Sequence, residues 1–396
     1  MVQKALAWLW VHKQKTASPN TSAYCQARKR ICVKWLATIW RELTERIEKA
    51  VPQDHLWHGR EVVVVDGSGF SMPDTPENQK AFPQSWRQKP GTGFPVARWI
   101  AAFSLASGVI KELAWDELHI HERTLLHRIW DRFSPGSVLL ADRGFCGYAD
   151  FWVLLKRGID SVMRLNARRT VGVKEVKRFN KNDRIVQWIK TKARIKWMTE
   201  EAWLAMPETM LVREVFLVID VPGFRTKRIT VVTTLLDAEG YTALDLTDLY
   251  RRRWMAELFF RDIKISMGMD VLRCKSPEMV QREIWMHVIA YNLIRGLMLR
   301  AACNKGVPIF RISLVGAITT IRQWEAVQIG EKKGEAITKI SQIILDYIAR
   351  DLVPDRPNRT EPRAIKRRKK NYQLMNKQRS VFKEINHRNK YTKSLS

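Results

Sequence analysis

The sequence lacks the features of a secreted, membrane-spanning or nucleotide-driven protein. Its five cysteines are scattered over 396 residues and no two have CxxC spacing, which argues against a zinc finger or a disulfide framework and fits a reducing cytoplasm. The apolar run 286–302 is interrupted by Arg295 and Arg300, so it predicts a packed helix and not a membrane span. The first twenty residues have no uninterrupted apolar core of a secretory signal. The absence of a GxxxxGK(S/T) stretch argues against ATP-driven work on nucleic acid.

Acidic residues are scarce relative to basic ones. The chain has 69 Lys and Arg against 40 Asp and Glu, a formal net charge of +29. Such a surplus attracts polyanions, of which nucleic acid is the first expectation and an anionic membrane surface the weaker one. A hydrophobic content of 45% is ordinary for a globular chain. We therefore expect a folded, nucleic-acid-associated protein of two or three domains.

Changes in residue pattern along the chain predict six regions. Residues 1–55 are basic and show apolar spacing typical of helices, at 5–10 and 35–40; their Lys and Arg could form a solvated face or face DNA. Runs typical of buried strands follow at 62–65 and 138–141, and with the helices between them they predict a mixed α/β sheet. The expected regions are 1–55 (helical and basic), 56–165 and 241–305 (α/β domain), 166–240 (β-strand-rich insertion), 306–353 (helices) and 354–396 (basic tail).

Finer expectations accompany these regions. Further strands are predicted at 96–105, 109–115 and 160–165, and helices at 121–132 and 148–157. Within the insertion, strand-like runs at 211–221 and 228–236 are separated by Pro222-Gly223 as in a hairpin. Long helices are predicted at 243–265, 277–302 and 308–350.

Two aspartates follow the two most strongly predicted strands. Asp66 comes after 62–65 and precedes Gly67-Ser68-Gly69, and Asp142 comes after 138–141. Taken singly, each could be an ordinary turn residue. Together they suggest a shared role, because two adjacent carboxylates repel each other unless a divalent cation lies between them.

A third acid lies on a helix with an unusual polar stripe. Tyr250, Arg253, Glu257 and Lys264 are spaced by 3, 4 and 7 residues, which places them within an arc of about 60° at 100° per residue. An Arg–Glu pair on a solvated stripe is the alternative. The apolar bulk elsewhere on this helix, at Trp254, Leu258, Phe259 and Ile263, indicates that the helix is largely buried.

Three acids with neighbouring cations suit phosphodiester cleavage. Two metal ions roughly 3.5–4 Å apart can activate the attacking oxygen and stabilise the leaving oxygen. Mg²⁺ prefers oxygen ligands and retains waters, so three carboxylates suffice. Arg253 and Lys264 would then hold phosphates of the cleaved strand.

With these motifs the chain resembles the IS4 family of bacterial insertion-sequence transposases, which belong to the DDE class. The family's helix signature, Tyr-x2-Arg-x3-Glu-x6-Lys, is present from Tyr250 to Lys264. The family's Asp-Gly-Ser/Thr and Asp-Arg-Gly-Phe/Tyr contexts match 66–68 and 142–145, and 72–84 is also similar. The resemblance covers about 20–300.

The resemblance implies a fold, a chemistry and a set of partners. It implies an RNase H-like mixed sheet flanked by helices, with a β-strand-rich insertion and helical N- and C-terminal regions. It implies Mg²⁺-dependent cleavage, with Mn²⁺ as a substitute, at terminal inverted repeats, a hairpin intermediate and joining to target DNA. Double-stranded DNA, a homodimer on DNA and a cytoplasmic, nucleoid-associated location follow. The implied catalytic and metal-binding residues are Asp66, Asp142 and Glu257, and the implied DNA-phosphate contacts are Tyr250, Arg253 and Lys264.

Two departures from the family pattern are visible. Some members carry a Trp on the last insertion strand that stacks on a flipped base, and 228–236 has none; Trp188, Trp197 or Trp203 could replace it or could be core residues. Members also usually have a longer N-terminal DNA-binding region, so we expect a truncated or partial copy.

Three alternatives remain at this point. The chain could be a catalytically inactive, transposase-derived DNA-binding protein, an RNase H-like structure-specific nuclease, or a plain cationic binding protein. The nuclease is disfavoured because it would not be expected to keep the Tyr–Arg–Glu–Lys helix. The grouping of the three acids distinguishes catalytic from purely binding roles.

Overall fold

A computed structural model gives the fold of residues 20–166, 173–218, 228–330 and 334–354, together with 377, 378 and 381. The predicted helical face at 5–10, Pro222-Gly223 and most of the basic tail lie outside the described residues. The helices are α1 Ser22–Arg30, α2 Val33–Lys49, α3 Pro76–Ala81, α4 Glu122–His127, α5 Tyr148–Lys156, α6 Glu200–Leu204, α7 Ala243–Arg252, α8 Trp254–Arg261, α9 Pro277–Lys305, α10 Leu314–Gly330 and α11 Gly334–Arg350. The strands are β1 Val62–Ser71, β2 Val96–Ser104, β3 Ile110–Glu117, β4 Val138–Ala141, β5 Asp160–Arg164, β6 Val173–Asn180, β7 Asp183–Ile189, β8 Thr209–Val218 and β9 Arg228–Thr233.

The strands form one mixed sheet of order β3-β2-β1-β4-β5-β9-β8-β7-β6. Strands β1 to β3 pair in antiparallel fashion, and β4 and β5 run parallel to β1. This order and these directions in the first five strands are those of the RNase H-like fold, which confirms the predicted fold class.

The strands between 173 and 233 extend this sheet. β9 pairs antiparallel with β5, from Val162↔Thr233 to Arg164↔Val231, and β8, β7 and β6 follow outward in antiparallel order. Strand β6 was not predicted, because its side chains are almost all exposed and carry no apolar alternation. The sheet thus carries β1 to β5 at one end and these added strands at the other.

Helices cover both faces of the first five strands. Alternating side chains of β1 divide between two cores: Val62 and Val64 pack with α7, α8 and α9, whereas Val63 and Val65 pack with α4 and α5. On the first face, Phe259 and Phe260 of α8 each contact Phe103 of β2 at 5.2 Å between ring centroids. These aromatic contacts hold the helix that carries Glu257 against β2.

Helix α2 was predicted from its apolar spacing, and it packs against α9, although Trp35 and Ile39 of the predicted apolar face are exposed. Its buried residues are Leu36, Trp40, Thr44 and Ile47. Thr44 also accepts a hydrogen bond from Asn292 of α9 at 2.8 Å. The N-terminal helices are therefore joined to the core of the sheet domain through α9.

Three predicted elements differ from the structure. β1 continues to Ser71, so Asp66 lies inside the strand and not after it; the polar and glycine residues 66–69 have weak strand propensity, but each is paired with β2. The single helix predicted at 243–265 is divided at Arg253 and ends in a π-helix, Asp262–Ser266. The helix predicted at 308–350 is two helices, α10 and α11. Within the described residues, no helix has the length and apolarity needed to cross a bilayer.

Candidate active site

Asp66 and Asp142 are neighbours on adjacent parallel strands. Val65 of β1 is paired with Ala141 of β4, so each aspartate lies one residue beyond the same pair. Neighbouring strands are about 4.8 Å apart. Asp66 continues the alternation of Val62 and Val64, and Asp142 that of 138 and 140, so both carboxylates face the side covered by α7 and α8.

Residues of the signature helix contact these aspartates from the helical layer above the sheet. The Tyr250 hydroxyl donates to Asp142 Oδ1 at 3.3 Å. Arg253 Nη1 lies 3.7 Å from Asp66 Oδ2, and Arg253 Nη2 donates to Glu257 Oε1 at 3.1 Å. The three acids are therefore linked to one polar cluster through Tyr250 and Arg253.

Burial dominates the electrostatics of Asp66. Desolvation raises its pKa to about 6, and the carboxylates of Glu122 and Glu257 act in the same direction. The Gly67 amide, which donates to Asp66 Oδ1 at 2.8 Å, and the nearby Arg253 lower the pKa but do not cancel the effect. Ionised Asp66 is thus short of positive charge, as expected of a carboxylate that holds a cation.

Arg253 and Tyr250 are shifted by the same cluster. Burial acts to lower the pKa of Arg253, but Tyr250, Glu257, Asp142 and Asp66 together raise it. Burial and the charge of Asp142 raise the pKa of Tyr250, so its hydroxyl remains protonated and can donate. The guanidinium is consequently held firmly as a cation between two of the acids.

Lys264 contacts the catalytic strand and not an acid of the signature. Its ammonium donates to Gly69 O at 2.7 Å and Ser68 Oγ at 3.1 Å, and it pairs with Asp270 at 3.0 Å. An ammonium has three donors, and all three have acceptors here. Lys264 is therefore held against β1, two residues beyond Asp66.

The three acids are not closed around a single ion. Within the described residues, no group of three or more His, Cys, Asp and Glu side chains is close enough to hold a metal. The Arg253 guanidinium lies between Glu257 and Asp66 and contacts both carboxylates.

Sequence reasoning missed one acid near this cluster. The Glu122 carboxyl at the start of α4 lies directly against Gly67, where the Cβ of any other residue would overlap it. Its charge contributes to the raised pKa of Asp66. No spacing or motif pointed to Glu122, because the contact depends on how α4 packs beside β1.

The tryptophans considered as base-stacking residues divide into two groups. Trp188 and Trp203 are buried, whereas Trp197 is 37% exposed and packs against His127 and Trp130 with centroids 4.1 and 5.7 Å away. The expectation that Trp254 would help bury the signature helix is wrong, since 54% of it is exposed, whereas Phe259 and Ile263 are buried as predicted.

Comparisons with known proteins agree with the motifs. Residues 57–293 match the family described as Transposase DDE domain. Transposase InsG for insertion sequence element IS4 of Escherichia coli strain K12 is 27% identical over 285 residues, which are 71% of this chain and 62% of that protein. Putative transposase InsZ of the same strain is 26% identical over 127 residues, 31% of this chain and 42% of that protein. The chain thus spans less than two thirds of either relative.

A distant similarity to a solved structure completes the comparisons. It is to a cryo-EM structure of piggyBac transposase in a synaptic complex with hairpin DNA. The match has a TM-score of 0.36 and 9% identity, and it covers 76% of this chain and 59% of that chain. At this TM-score the similarity is too low to support a fold or a function.

Proposed function

Because the chain belongs to the family of transposases with a DDE domain, we propose that it cuts DNA at the terminal inverted repeats of an insertion sequence and joins the freed 3′ ends to target DNA. The observation that carries the proposal is the pairing of Asp66 and Asp142 at matched positions of β1 and β4, with Tyr250 and Arg253 contacting them from the signature helix. The similarity to the IS4 transposase supports the same reading.

Asp66, Asp142 and Glu257 are the proposed metal ligands. Carboxylate oxygens are the ligands that Mg²⁺ and Mn²⁺ prefer, and the desolvated Asp66 favours a cation beside it. A bound metal pair would activate the attacking oxygen and stabilise the leaving oxygen. Arg253 contacts Asp66 and Glu257 and so supplies part of the positive charge that these carboxylates need.

The remaining signature residues are proposed to hold DNA. Arg253 can exchange its contacts with Asp66 and Glu257 for a phosphate near the cleaved end, since guanidinium binds phosphate and carboxylate alike. The Tyr250 hydroxyl would orient Asp142 or donate to the same strand. Lys264 would contact a phosphate after releasing one of its present acceptors.

We extend the proposal to the reaction course and the assembly. The reaction would be cut-and-paste through a hairpin intermediate, carried out by a homodimer on double-stranded DNA in the nucleoid. The domain roles proposed are DNA binding by 1–55, catalysis by 56–165 and 241–305, the insertion at 166–240, C-terminal helices at 306–353 and a basic DNA-contacting tail at 354–396.

A second candidate is a DNA-binding protein derived from a transposase that no longer cuts. One observation favours it: Arg253 lies between Asp66 and Glu257, and the acids are not grouped around one ion within the described residues. Such a protein would bind inverted repeats without metal-dependent cleavage.

Cleavage of labelled end DNA distinguishes the two candidates. The substrate is a duplex of the inverted repeats that flank the gene, incubated with Mg²⁺ and the wild type, Asp66→Asn or Glu257→Gln. We expect cleavage by the wild type and loss of it in both variants, while Asp248→Asn on the exposed face of α7 cuts normally. Binding without cleavage by the wild type supports the second candidate, and equal cleavage by the variants rejects the assigned acids.

A further inference from the structure

Trp86 is an exposed aromatic residue outside the signature motifs. It is 81% exposed, above every other large hydrophobic side chain of the described residues, of which Leu204 is next at 71%. Trp86 lies in the connection between β1 and β2. The part of this connection that follows α3, residues 82–95, is called the Trp86 loop. Leaving so large an apolar surface in water is costly, and Trp is enriched at interaction surfaces.

The Trp86 loop is held in shape by glutamine side chains. Gln84 donates to the Lys89 carbonyl at 2.9 Å and accepts from the Gly93 amide at 2.9 Å. Gln79 of α3 donates to the Gly93 carbonyl at 2.9 Å. Trp86 itself lies edge-on to His119, with ring centroids 5.5 Å apart. A braced loop can present an aromatic ring with little entropy lost on binding.

The charge around Trp86 suits a polyanion. The loop itself, residues 82–95, contains Arg87 and Lys89 and no Asp or Glu. Residues 86–90, including Arg87 and Lys89, are all exposed. An exposed aromatic ring beside exposed cations is an arrangement with which proteins bind unstacked bases and the phosphates next to them.

The Trp86 loop lies at the end of β1 toward which Asp66 leads. From Asp66 to Ser71 there are five residues, or about 17 Å at about 3.4 Å per residue. Ser71 is paired with Val96, where the loop returns to the sheet. The segment that leads into α4 lies beside both regions. Its Ile120 carbonyl accepts from Arg98, two residues after Val96, at 2.9 Å. Glu122 at the start of α4 packs on Gly67, which is next to Asp66. The stretch of β1 from Asp66 to Ser71 thus has about the length of five base-pair steps at about 3.4 Å each.

We propose that the Trp86 loop is a DNA-binding site, in which Trp86 stacks on a base unstacked from the DNA bound at the acids, as inserting aromatic and apolar side chains do elsewhere, and Arg87 and Lys89 bind the flanking phosphates. The inference rests on the proposed function, since it requires DNA at Asp66 and Asp142. The duplex over the loop could be the transposon end or the target DNA, and both present the same bases and phosphates.

Binding measurements on the full chain test this site. Fluorescence anisotropy would follow a labelled inverted-repeat duplex and an unrelated duplex of equal length, in Ca²⁺ to prevent cleavage. We expect Trp86→Ala to weaken binding by about five- to 100-fold, the range found when a base-stacking aromatic is removed, and Trp86→Phe to retain most of the affinity. Tyr347→Ala, which removes a half-exposed aromatic from α11, should have no effect. Loss with the inverted-repeat duplex only assigns the loop to the transposon end, and loss with both includes target DNA.

A second measurement identifies the contact directly. Duplexes carrying 5-iodouracil cross-link on irradiation to stacked aromatic side chains, and mass spectrometry should find the cross-link on the peptide that contains Trp86. Arg87→Gln and Lys89→Gln should each lower the salt slope of binding by about one. Affinity unchanged in Trp86→Ala, together with cross-links elsewhere, would overturn the proposal. A change in oligomeric mass without a change in DNA affinity would instead assign Trp86 to a contact between copies and also overturn it.

The outcome is separable from that of the proposed function. Mg²⁺-dependent cleavage by the wild type, abolished by Asp66→Asn, tests the function by itself. If cleavage occurs and Trp86→Ala still binds like the wild type, only the role of the Trp86 loop is rejected. If no cleavage occurs but Trp86→Ala weakens binding, the loop remains a DNA site on a protein that does not cut.

Discussion

Arg253 contacts two of the proposed metal ligands and is itself proposed to bind a DNA phosphate. Its guanidinium contacts Asp66 and Glu257, and both are proposed metal ligands. Metal ions and Arg253 therefore compete for the same carboxylates, whereas DNA phosphates and the carboxylates compete for Arg253. Binding of DNA would withdraw the guanidinium and leave the acids free, so metal and DNA should bind with positive coupling.

Removal of this guanidinium should strengthen metal binding in the absence of DNA. We expect Arg253→Gln to bind Mn²⁺ roughly five- to tenfold more tightly than the wild type, because a unit positive charge about 4 Å from the acids opposes a cation by at least about 1 kcal/mol. Electron paramagnetic resonance of free Mn²⁺ measures this without any turnover. Arg251→Gln, which removes an exposed cation paired with Asp248, is the control. Unchanged Mn²⁺ affinity in Arg253→Gln would show that the guanidinium does not occupy the metal position.

Asp66 should cost the protein stability at neutral pH. Its pKa is about 6 in the folded protein against 3.8 ordinarily, so the folded state binds more protons between these values. Stability then falls as pH rises from about 4 to about 6, and the penalty, up to about 3 kcal/mol at about 1.4 kcal/mol per unit, is complete above that window. Asp66→Asn, which mimics the neutral acid, should be more stable than the wild type at pH 8 and equal to it at pH 4.

Urea unfolding at both pH values, without metal, measures the difference. The exposed carboxylate variant Asp248→Asn should change the free energy of unfolding by less than about 0.5 kcal/mol at either pH. If Asp66→Asn shows the same small change at pH 8, Asp66 is better solvated than its burial indicates.

At the scale of elements, the π-helix after α8 depends on a buried ion pair with α9. Arg295 is buried, donates to Asp262 at 3.3 Å and to the Tyr291 hydroxyl at 3.1 Å, and stacks over Phe259 at 4.8 Å. Gly108 has a φ of +77°, and a Cβ there would lie 3.0 Å from the guanidinium carbon. These contacts tie the segment carrying Glu257 and Lys264 to α9 and to the β2–β3 turn.

Breaking this pair from one side should be more harmful than removing it whole. Arg295→Met leaves the partly buried Asp262 carboxylate with the exposed Arg261, 3.8 Å away, as an ion-pair partner, and we expect a loss of about 2 kcal/mol, below that for a fully buried pair. Burial raises the pKa of Asp262 and Arg295 opposes the shift, so the loss should be smaller at low pH, where the acid is neutral. The double variant Arg295→Met/Asp262→Asn should recover part of the loss in urea unfolding at pH 7. A double variant as unstable as the sum of the single ones would mean that the two residues act independently.

The element scale also shows what the sequence could predict and what it could not. The strand at 138–141 and the helix spacing at 35–40 were predictable, because the first is an unbroken apolar run and the second has apolar residues at helical spacing. The length of β1 was not, since 66–69 are polar or glycine and only pairing with β2 makes them a strand. The break at Arg253 escaped prediction for a similar reason: the polar stripe from Tyr250 to Lys264 has helical spacing, but the chain kinks between α7 and α8.

The candidate site was partly predictable for reasons of topology. Asp66 and Asp142 could be placed together because each accompanies a buried strand, and neighbouring parallel strands bring such residues to one region. Glu122 and Trp86 could not be found, since their positions depend on loop packing between distant parts of the chain. The sequence predicted that Arg253 binds a DNA phosphate. Its position between the Asp66 and Glu257 carboxylates follows from the structure.

At the scale of the whole molecule, the surplus of positive charge lies largely outside the acidic site. Residues 354–396 hold 14 Lys and Arg against 3 Asp and Glu, with five consecutive cations at 366–370. Arg87 and Lys89 provide exposed cations beside Trp86. A duplex held at the acids would therefore be bound mainly by cations other than the signature residues. This predicts an affinity that is strong but falls steeply with salt.

The contribution of the tail to that affinity can be measured by its salt dependence. Each phosphate neutralised contributes about −0.9 to the slope of log affinity against log salt. Changing all five residues of 366–370 to Gln should therefore make the slope shallower by up to about 4.5, if each cation contacts a phosphate. The affinity should fall for inverted-repeat and unrelated duplexes alike, because phosphate contacts carry no sequence information. Fluorescence anisotropy at 50 to 300 mM NaCl gives the slope, and alanine at Asn371 and Gln373 is the control that leaves the charge unchanged. A slope that stays at the wild-type value would show that the tail does not touch DNA, and the surplus charge would then have to act through the folded domain alone.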